Sequence, residues 1–173
     1  MLPHLRHGIP DVKPKQLSCG LLVINERDEL LIGHSTGSAH WDIPKGLIDP
    51  GETPFACALR ESKEEFGLVF DATRIHDLGR FAYYAGKDLH LFAVRTTSDE
   101  TRPERCTCSS DFEDTRSGRM MPEIDAYGWG SDSVLHSRLG KSMHRLLLEK
   151  NLLATARATV GADMAPSLVG HSL

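Results

Sequence analysis

The segment TPFACALRESKEEFG, residues 53–67, constrains the fold more than any other part of the chain. Thr53 supplies a side-chain oxygen that can cap a helix, and Pro54 suits the first helical turn, where an N–H is not needed. Gly67 suits the left-handed residue that often ends a helix. The sequence therefore predicts a helix from Pro54 to Phe66. The residues expected on its core-facing side are Phe55, Leu59, Ser62 and Phe66.

Three glutamates occupy a different side of this predicted helix. Glu61, Glu64 and Glu65 stand at positions i, i+3 and i+4, which fall on one face of a helix. Carboxylates this close repel one another, and each favours its protonated form unless a cation compensates. A divalent cation would do so, and oxygen-only ligands suit Mg²⁺ or Mn²⁺ rather than zinc. The alternative is an ordinary solvated acidic face, balanced by Arg60 and Lys63.

A glycine-containing turn, residues 46–51, precedes the helix and ends at Glu52. Gly46 allows a backbone carbonyl to approach a cation closely, because no side chain obstructs it. Lys45, just before the turn, can contact a phosphate, although a solvated lysine is an equal alternative. Arg60 can pair with Glu52 or with another glutamate and hold it in one rotamer. This region therefore adds candidate ligands to the acidic face.

Apolar stretches on both sides of this region predict strands. The predicted strands are residues 16–25, 30–35, a pair within 75–96 joined at Ala85-Gly86, and 122–130. Residues 41–46, WDIPKG, predict a short extended piece, which Pro44 excludes from the centre of a sheet. Besides the helix described above, the pattern predicts a short helix near 131–139 and a second long one over 141–153. Strands between separated helices favour an α+β fold.

Three other segments carry little periodic pattern. Residues 1–15 predict a flexible N-terminal arm, and residues 154–173 predict a weakly structured, frayed C-terminal tail. Residues 97–121 are polar and predict a long loop, either partly mobile or acting as a lid. The domain is therefore expected to span residues 16–153.

Composition excludes several classes of function. The net charge of −4 and pI of about 6.1 make binding to nucleic acid unfavourable, and no apolar run is long enough for a membrane span. No secretion signal is apparent, so we expect a cytoplasmic protein whose four cysteines are reduced. The pair Cys106 and Cys108 lacks the partners of a zinc site and is expected in an ordinary surface loop.

Taken together, residues 46–68 match the pattern G-x5-E-x7-R-E-U-x-E-E-x-G-U, in which U is aliphatic, and the chain resembles the Nudix hydrolase family. The matching positions are Gly46, Glu52, Arg60, Glu61, Glu64, Glu65, Gly67 and Leu68. Ser62 departs from the pattern at an aliphatic position on the expected core face, which affects packing more than chemistry. The resemblance implies an α/β/α sandwich with a mixed sheet between helices, over about residues 16–153.

The resemblance also implies a reaction and roles for these residues. Nudix enzymes hydrolyse a nucleoside diphosphate linked to another moiety, using Mg²⁺ or Mn²⁺. By position, Glu61, Glu64 and Glu65 would be metal ligands with the Gly46 carbonyl as a further one. Glu52 and Arg60 would support them, and Glu61 or Glu65 could accept a proton from water.

The segment PEIDAYGWG, residues 122–130, is similar to a segment of diadenosine polyphosphate hydrolases of this family. The similarity makes Glu123 a candidate base or ligand, with a surface glutamate as the alternative. Tyr127 could stack on a nucleobase, although a packed core aromatic is the commoner outcome. WDIPKG is similar to pieces of diadenosine tetraphosphate and diphosphoinositol hydrolases, which supports Lys45 as a substrate-binding residue.

The sequence thus predicts a pyrophosphohydrolase, with a dinucleoside polyphosphate such as diadenosine tetraphosphate as one substrate hypothesis. Alternatives are an enzyme that sanitises the nucleotide pool, an RNA 5′-pyrophosphohydrolase, or a Nudix-like domain that senses a nucleotide without turnover. The intact set of glutamates argues against the sensing alternative. Neither the substrate nor the oligomeric state can be read from the residues.

Overall fold

The structure is a computed structural model and describes residues 14–161. Within that range the strands are β1 (Gln16–Ile24), β2 (Leu30–Ser35), β3 (Trp41–Asp42), β4 (Lys45–Leu47), β5 (Ile75–Tyr84), β6 (Lys87–Arg95), β7 (Asp111–Asp114), β8 (Arg119–Pro122) and β9 (Ile124–Gly130). The helices are α1 (Pro54–Phe66), α2 (Asp132–Arg138), α3 (Lys141–His144), which continues as a π turn (Arg145–Glu149), and α4 (Leu152–Gly161). These bounds agree with the expected strands and with the first two predicted helices.

Strand β1 organises a mixed sheet. Its whole length pairs in parallel with β6, which in turn pairs antiparallel with β5. On its other edge, the N-terminal half of β1 pairs with β4, and its C-terminal end pairs with β2 at Ile24 and Leu30. Strand β2 also pairs with β3 and β9. Pro44 lies between β3 and β4, so its missing N–H interrupts no ladder.

Alternating side chains of β1 build two separate cores. Leu21 and Val23 pack on one face against residues of α1, such as Cys57 and Phe66. The neighbouring Leu22 and Ile24 pack on the opposite face with apolar residues from α2 to α4. Burial on both faces explains why this strand reads as a continuous apolar run. The predicted α/β/α sandwich with a mixed sheet is confirmed.

The expectation that residues 97–121 form a long loop is wrong, because part of this segment is regular secondary structure. Residues 103–105 form one 3₁₀ turn, and β7 and β8 form a separate two-stranded hairpin. The stretch between them packs against the end of α1, where the Ser109 N–H donates to the Glu64 carbonyl at 2.7 Å. Cys106 is buried in the core beside α1 rather than in a surface loop. The last carbonyls of α1 lack partners within the helix, and this segment supplies them.

The C-terminal predictions need two corrections. The helix expected over 141–153 is interrupted, because it widens into the π turn and ends where Asn151 adopts a positive φ of 57°. The tail expected to fray from residue 154 is helical as far as Gly161, since Ala156 and Val160 are fully buried against the sheet. The alternation of alanine with threonine and arginine, in place of larger apolar residues, concealed that packing from a reading of the sequence.

Parts of the other expectations lie outside the described residues. Residues 1–13 of the expected arm and 162–173 of the expected tail belong to this group. All four cysteines are free thiols. Between residues 14 and 161, no helix has the length and apolarity that a membrane span requires.

Candidate active site

Helix α1 begins and ends as its sequence predicts. Thr53 has an extended backbone, and its Oγ1 accepts a hydrogen bond from the Ala56 N–H at 3.1 Å. Gly67 ends the helix with φ 69°, and its N–H donates to carbonyls of the last turn. A β-carbon is disfavoured at that φ, which explains the glycine. Both ends of the acidic helix are therefore fixed by residues within the segment itself.

The carboxylates of α1 differ in burial. Glu61 and Glu65 each have only 8% of their surface exposed, whereas the side chain of Glu64 is 42% exposed. Ser62 is 1% exposed and lies on the core face, as expected from its helical position. Two of the three acids are thus removed from water, which a solvated acidic face would not do. This finding disfavours that alternative.

Strand β4 supplies the backbone against which these acids lie. The Lys45 N–H donates to Oε2 of Glu65 at 2.9 Å. A β-carbon placed on Gly46 would lie 2.1 Å from Oε1 of Glu61, so only glycine allows this carboxylate to approach the strand. The Gly46 carbonyl accepts a weak bond from the Cys57 thiol at 3.6 Å. Gly46 therefore lies next to the acidic face, as the sequence predicts.

Arg60 connects the turn before α1 to the acidic face. Its guanidinium binds both oxygens of Glu52, from Nε at 2.9 Å and from Nη2 at 3.0 Å. Its Nη1 donates to Glu61 at 2.7 Å and to Glu64 at 3.1 Å. Glu52 also accepts the Asp49 N–H at 3.0 Å, which closes the turn. One cation thus holds three carboxylates in fixed positions.

These environments separate the acids by pKa. The pKa of Glu65 is raised to about 8, chiefly by burial and to a smaller extent by the nearby Glu61 and Glu123, against the opposing effect of Lys45. Burial also raises the pKa of Glu61, although Arg60 opposes that rise. The hydrogen bonds from Arg60 lower the pKa of Glu52 to about 2. Glu52 is therefore a permanent anion, while Glu65 holds a proton near neutral pH unless a cation displaces it.

Glu123 lies at the entrance to β9, close enough to Glu61 and Glu65 to raise the pKa of both. Its backbone is fixed on both sides: its N–H donates to the Ser110 carbonyl at 2.9 Å, and its own carbonyl accepts the Thr36 N–H at 3.0 Å. Ser110 Oγ also donates to its side chain at 3.4 Å. Glu123 therefore lies near the acidic face, although it follows Glu65 by 58 positions in the sequence.

Lys45 and Tyr127 are placed differently from the acids. Neighbouring strand residues point to opposite faces, so the Lys45 side chain lies away from α1, with its Nζ 2.8 Å from Oδ2 of Asp42. Although burial lowers the pKa of Lys45, Asp42 and other neighbours raise it overall. The hydroxyl of Tyr127 donates to the Glu65 carbonyl at 2.7 Å, and its ring packs edge-on against Phe66. This geometry favours the packing role for Tyr127.

The comparison with known families decides the identity of this arrangement. The profile described as the NUDIX domain matches residues 14–137, which is most of the chain.

The chain belongs to the Nudix family.

Two relatives of this Nudix chain match most of its length. It is 34% identical over 146 residues to an uncharacterized 17.7 kDa protein of Enterobacteria phage T4, covering 79% of this chain and 96% of that protein. It is 38% identical over 143 residues to an asymmetrical bis(5′-nucleosyl)-tetraphosphatase of Sus scrofa, covering 76% and 90%. The expectation of a Nudix pyrophosphohydrolase is confirmed by the family and this homologue.

Solved structures confirm the Nudix fold. A C. elegans Ap4A hydrolase in a binary complex gives a TM-score of 0.56 at 18% identity, covering 85% of this chain and 98% of that one. The NUDIX domain of Shewanella oneidensis NrtR, complexed with ADP ribose, gives 0.59 at 18% identity, covering 84% and 90%. At this identity the likeness concerns the fold alone.

The Nudix acids form a donor set that fits a hard divalent cation. Every side chain that could take part offers carboxylate oxygen, and the glycine at position 46 leaves the backbone carbonyl and Glu61 close together. Within residues 14–161, no three His, Cys, Asp or Glu side chains converge in a metal-binding arrangement, and Arg60 pairs with Glu61 and Glu64. Arg60 nevertheless pairs with only three of the nearby carboxylates, those of Glu52, Glu61 and Glu64. Glu65 and Glu123 add two more, which leaves an excess of negative charge for a cation.

Sequence reasoning missed the partners that position the Nudix residues. Asp42 neutralises Lys45, and its position three residues earlier was the only available signal. Ser109 and Ser110 contact Glu64 and Glu123 from a segment expected to be a loop. No local pattern connects residues so distant in sequence, so these contacts could not be anticipated.

Proposed function

We propose that this Nudix enzyme is a Mg²⁺- or Mn²⁺-dependent hydrolase that cleaves a pyrophosphate bond in a nucleoside diphosphate linked to another moiety. Glu61, Glu64, Glu65 and the Gly46 carbonyl would hold the cation. The observation that carries the proposal is the burial of Glu61 and Glu65 against the Gly46 backbone, because two buried acids beside a single guanidinium stay ionised together only when a further cation compensates them.

When bound, the cation supplies charge neutralisation of the phosphates and an acidified water. The chain supplies the acceptor of that water's proton, for which we propose Glu61, Glu65 or Glu123. Arg60 and Glu52 fix the rotamers of the acids, so that the acceptor needs little reorganisation during the reaction.

For the substrate we propose a dinucleoside polyphosphate such as diadenosine tetraphosphate. The relative from Sus scrofa supports this choice, because the similarity spans nearly all of that asymmetrical tetraphosphatase. Lys45 is proposed to contact a phosphate, in which case the substrate would share the ammonium with Asp42. We also propose the cytoplasm as the location, which agrees with the four free thiols.

A substrate panel with each metal tests the proposal. Purified protein would be incubated with diadenosine tetraphosphate, ADP-ribose, oxidised nucleoside triphosphates and 5′-triphosphorylated RNA, in EDTA, Mg²⁺ or Mn²⁺. We expect asymmetric cleavage of the tetraphosphate to a nucleoside triphosphate and a monophosphate, and no turnover in EDTA. Preferred cleavage of another substrate would refute the substrate proposal. Tight nucleotide binding without any product would instead indicate a sensing domain.

Lys45 and Asp42 allow a separate test of substrate binding. Lys45→Met removes the ammonium but keeps the backbone N–H that donates to Glu65, so loss of a phosphate contact should raise KM more than it lowers kcat. Asp42→Asn is the matched variant, since it frees the ammonium and should not raise KM. Equal KM values in Lys45→Met and wild type would remove Lys45 from the substrate site.

A further inference from the structure

Two histidines outside the acidic face approach each other between α2 and α3. Nδ1 of His136 lies 2.9 Å from Nε2 of His144, and the rings are 5.0 Å apart at 63°. His136 is exposed and His144 is half-buried, so a solvent ion can reach both. In a neutral imidazole one ring nitrogen donates and the other carries a lone pair. The contact is therefore a hydrogen bond if one of the two facing nitrogens is protonated. If both carry lone pairs, they can bind the same cation.

Glu149 fixes which nitrogen of His144 carries the lone pair. Its carboxylate lies 3.1 Å from Nδ1 of His144, and an ionised carboxylate can only accept. The proton of His144 therefore belongs on Nδ1, which leaves the Nε2 lone pair directed at His136. A carboxylate behind a histidine is the arrangement that orients metal-binding imidazoles in proteins.

The π turn makes this pairing possible. His144 and Glu149 are five residues apart, which in a regular α-helix places them about 140° apart around the axis. The widened turn Arg145–Glu149, marked by the Lys150 N–H donating to the Arg145 carbonyl at 3.0 Å, brings them to one side. Such turns occur frequently at functional sites. The π turn thus places Glu149 where it can orient His144.

The separation of the two nitrogens matches adjacent ligands of a transition metal. A metal–imidazole bond of about 2.0–2.1 Å and a right angle at the metal give about 2.9 Å between nitrogens. We propose that His136 and His144 bind a borderline transition-metal cation such as Ni²⁺ or Cu²⁺, with Glu149 orienting His144. Among residues 14–161 no group of three metal-binding side chains forms here, so water would complete the coordination.

The surroundings also include positive charge. Lys141 and Arg145 line the same open pocket with Leu139. Arg145 is directed away, because its Nη2 donates to the Tyr83 carbonyl, and Glu149 offsets the remaining Lys141. Positive charge repels a bound metal cation, so the nearby lysine predicts only moderate affinity for the metal. A phosphate-like anion is the competing occupant and becomes an outcome of the test.

This proposal is independent of the proposed hydrolase function. The histidine pair belongs to the helices packed on the sheet face opposite α1, and its ligands are nitrogens rather than oxygens. Mg²⁺ prefers oxygen, so the two sites should separate by metal type. Bound metal would link α2 to α3 and stabilise the folded chain by RT ln(1 + [M]/Kd), where [M] is the free metal concentration.

Calorimetric titration of the full, chelator-treated chain with NiCl₂ tests the site, alongside the shift of Tm. Wild type should bind one more equivalent of Ni²⁺ than His136→Ala does, because the acidic face can take Ni²⁺ in both proteins. The variant should also lose the part of the Ni²⁺-dependent rise in Tm that this equivalent produces. Glu149→Gln should weaken that binding on the order of 10–100-fold. His40→Ala removes an exposed histidine outside the pair and should bind as wild type does, and Mg²⁺-dependent turnover should persist in His136→Ala.

The contrary results are equally specific. Unchanged Ni²⁺ binding in His136→Ala would place the ion elsewhere, on cysteines or another histidine, and would overturn the proposal. Stabilisation of wild type by inorganic phosphate but not by Ni²⁺, abolished in Lys141→Met, would replace it with an anion site. Circular dichroism of each variant distinguishes lost binding from lost folding.

Discussion

The guanidinium of Arg60 holds both carboxylate oxygens of Glu52, at 2.9 and 3.0 Å, across eight residues of sequence. This pair joins the turn that carries Gly46 to the helix that carries the proposed ligands. The same guanidinium reaches Glu61 and Glu64, so the position of Glu52 sets the position of the acidic face.

Replacing Arg60 tests that role. Lysine keeps the charge but cannot bind Glu52 through two parallel bonds, so Arg60→Lys should lower kcat/KM on the order of 10–100-fold. Activity would be measured over a Mg²⁺ titration, with Arg138→Lys as a matched control on another helix. A variant with wild-type kinetics at every Mg²⁺ concentration would contradict the positioning role.

The ligand assignment is tested by neutral, nearly isosteric replacements. Glu64→Gln and Glu65→Gln should each lower turnover on the order of 10²-fold or more, while circular dichroism stays unchanged. Glu113→Gln, which alters an exposed acid of the β7–β8 hairpin, should be neutral. Near-normal turnover in either helix variant would show that the metal is held elsewhere.

Gly46 provides a steric test of the same site. An added β-carbon would overlap the Glu61 carboxylate, so Gly46→Ala should displace that acid and reduce activity strongly. Because the strand or the side chain must shift to remove the overlap, the free energy of unfolding should fall by about 1–3 kcal/mol. Gly161→Ala, where no atom lies within 4 Å of the new carbon, is the control. If both variants matched wild type in activity, the contact between Gly46 and Glu61 would have no role.

The pKa of Glu65 predicts a pH-dependent stability without metal. Its folded pKa of about 8 exceeds the ordinary value of 4.5, so its contribution is full below pH 4.5 and is lost as the pH rises through 8. The free energy of unfolding in EDTA should therefore fall over this interval, by on the order of 2–5 kcal/mol from this group. Glu52 acts in the opposite sense, because its lowered pKa stabilises the fold above pH 4.5 and this is lost toward pH 2.

Urea unfolding of wild type and Glu65→Gln at pH 5 and pH 8.5 measures the effect of Glu65. The neutral variant should show a smaller loss of stability between these two pH values, and Mg²⁺ should restore wild type at pH 8.5. If the free energy of unfolding fell equally in both proteins, the ionisation of Glu65 would have no effect on stability.

Tyr127 separates a packing role from substrate binding. Tyr127→Phe removes the bond to the Glu65 carbonyl and keeps the ring against Phe66, so it should cost about 0.5–1.5 kcal/mol of unfolding free energy. KM should remain unchanged if the hydroxyl only anchors α1. A several-fold rise in KM without loss of stability would instead restore the nucleobase-binding hypothesis.

The sequence by itself determined the features that depend on neighbouring residues. Thr53 and Gly67 fix the ends of α1 because capping acts within one helical turn. The spacing of Glu61, Glu64 and Glu65 follows from helical geometry alone, and the strands follow from local alternation and turns. These signals need no knowledge of what the segments pack against.

Only the tertiary structure decided which of these groups are buried and what holds them. Glu65 meets the backbone of Lys45, the carbonyl of Glu64 meets Ser109, and Tyr127 reaches helix α1, through contacts across 20, 45 and 62 residues. The packed helix at 152–161 is a further case, because small residues there become core only against the sheet. Burial and pKa depend on which surfaces meet, and no local pattern specifies that meeting.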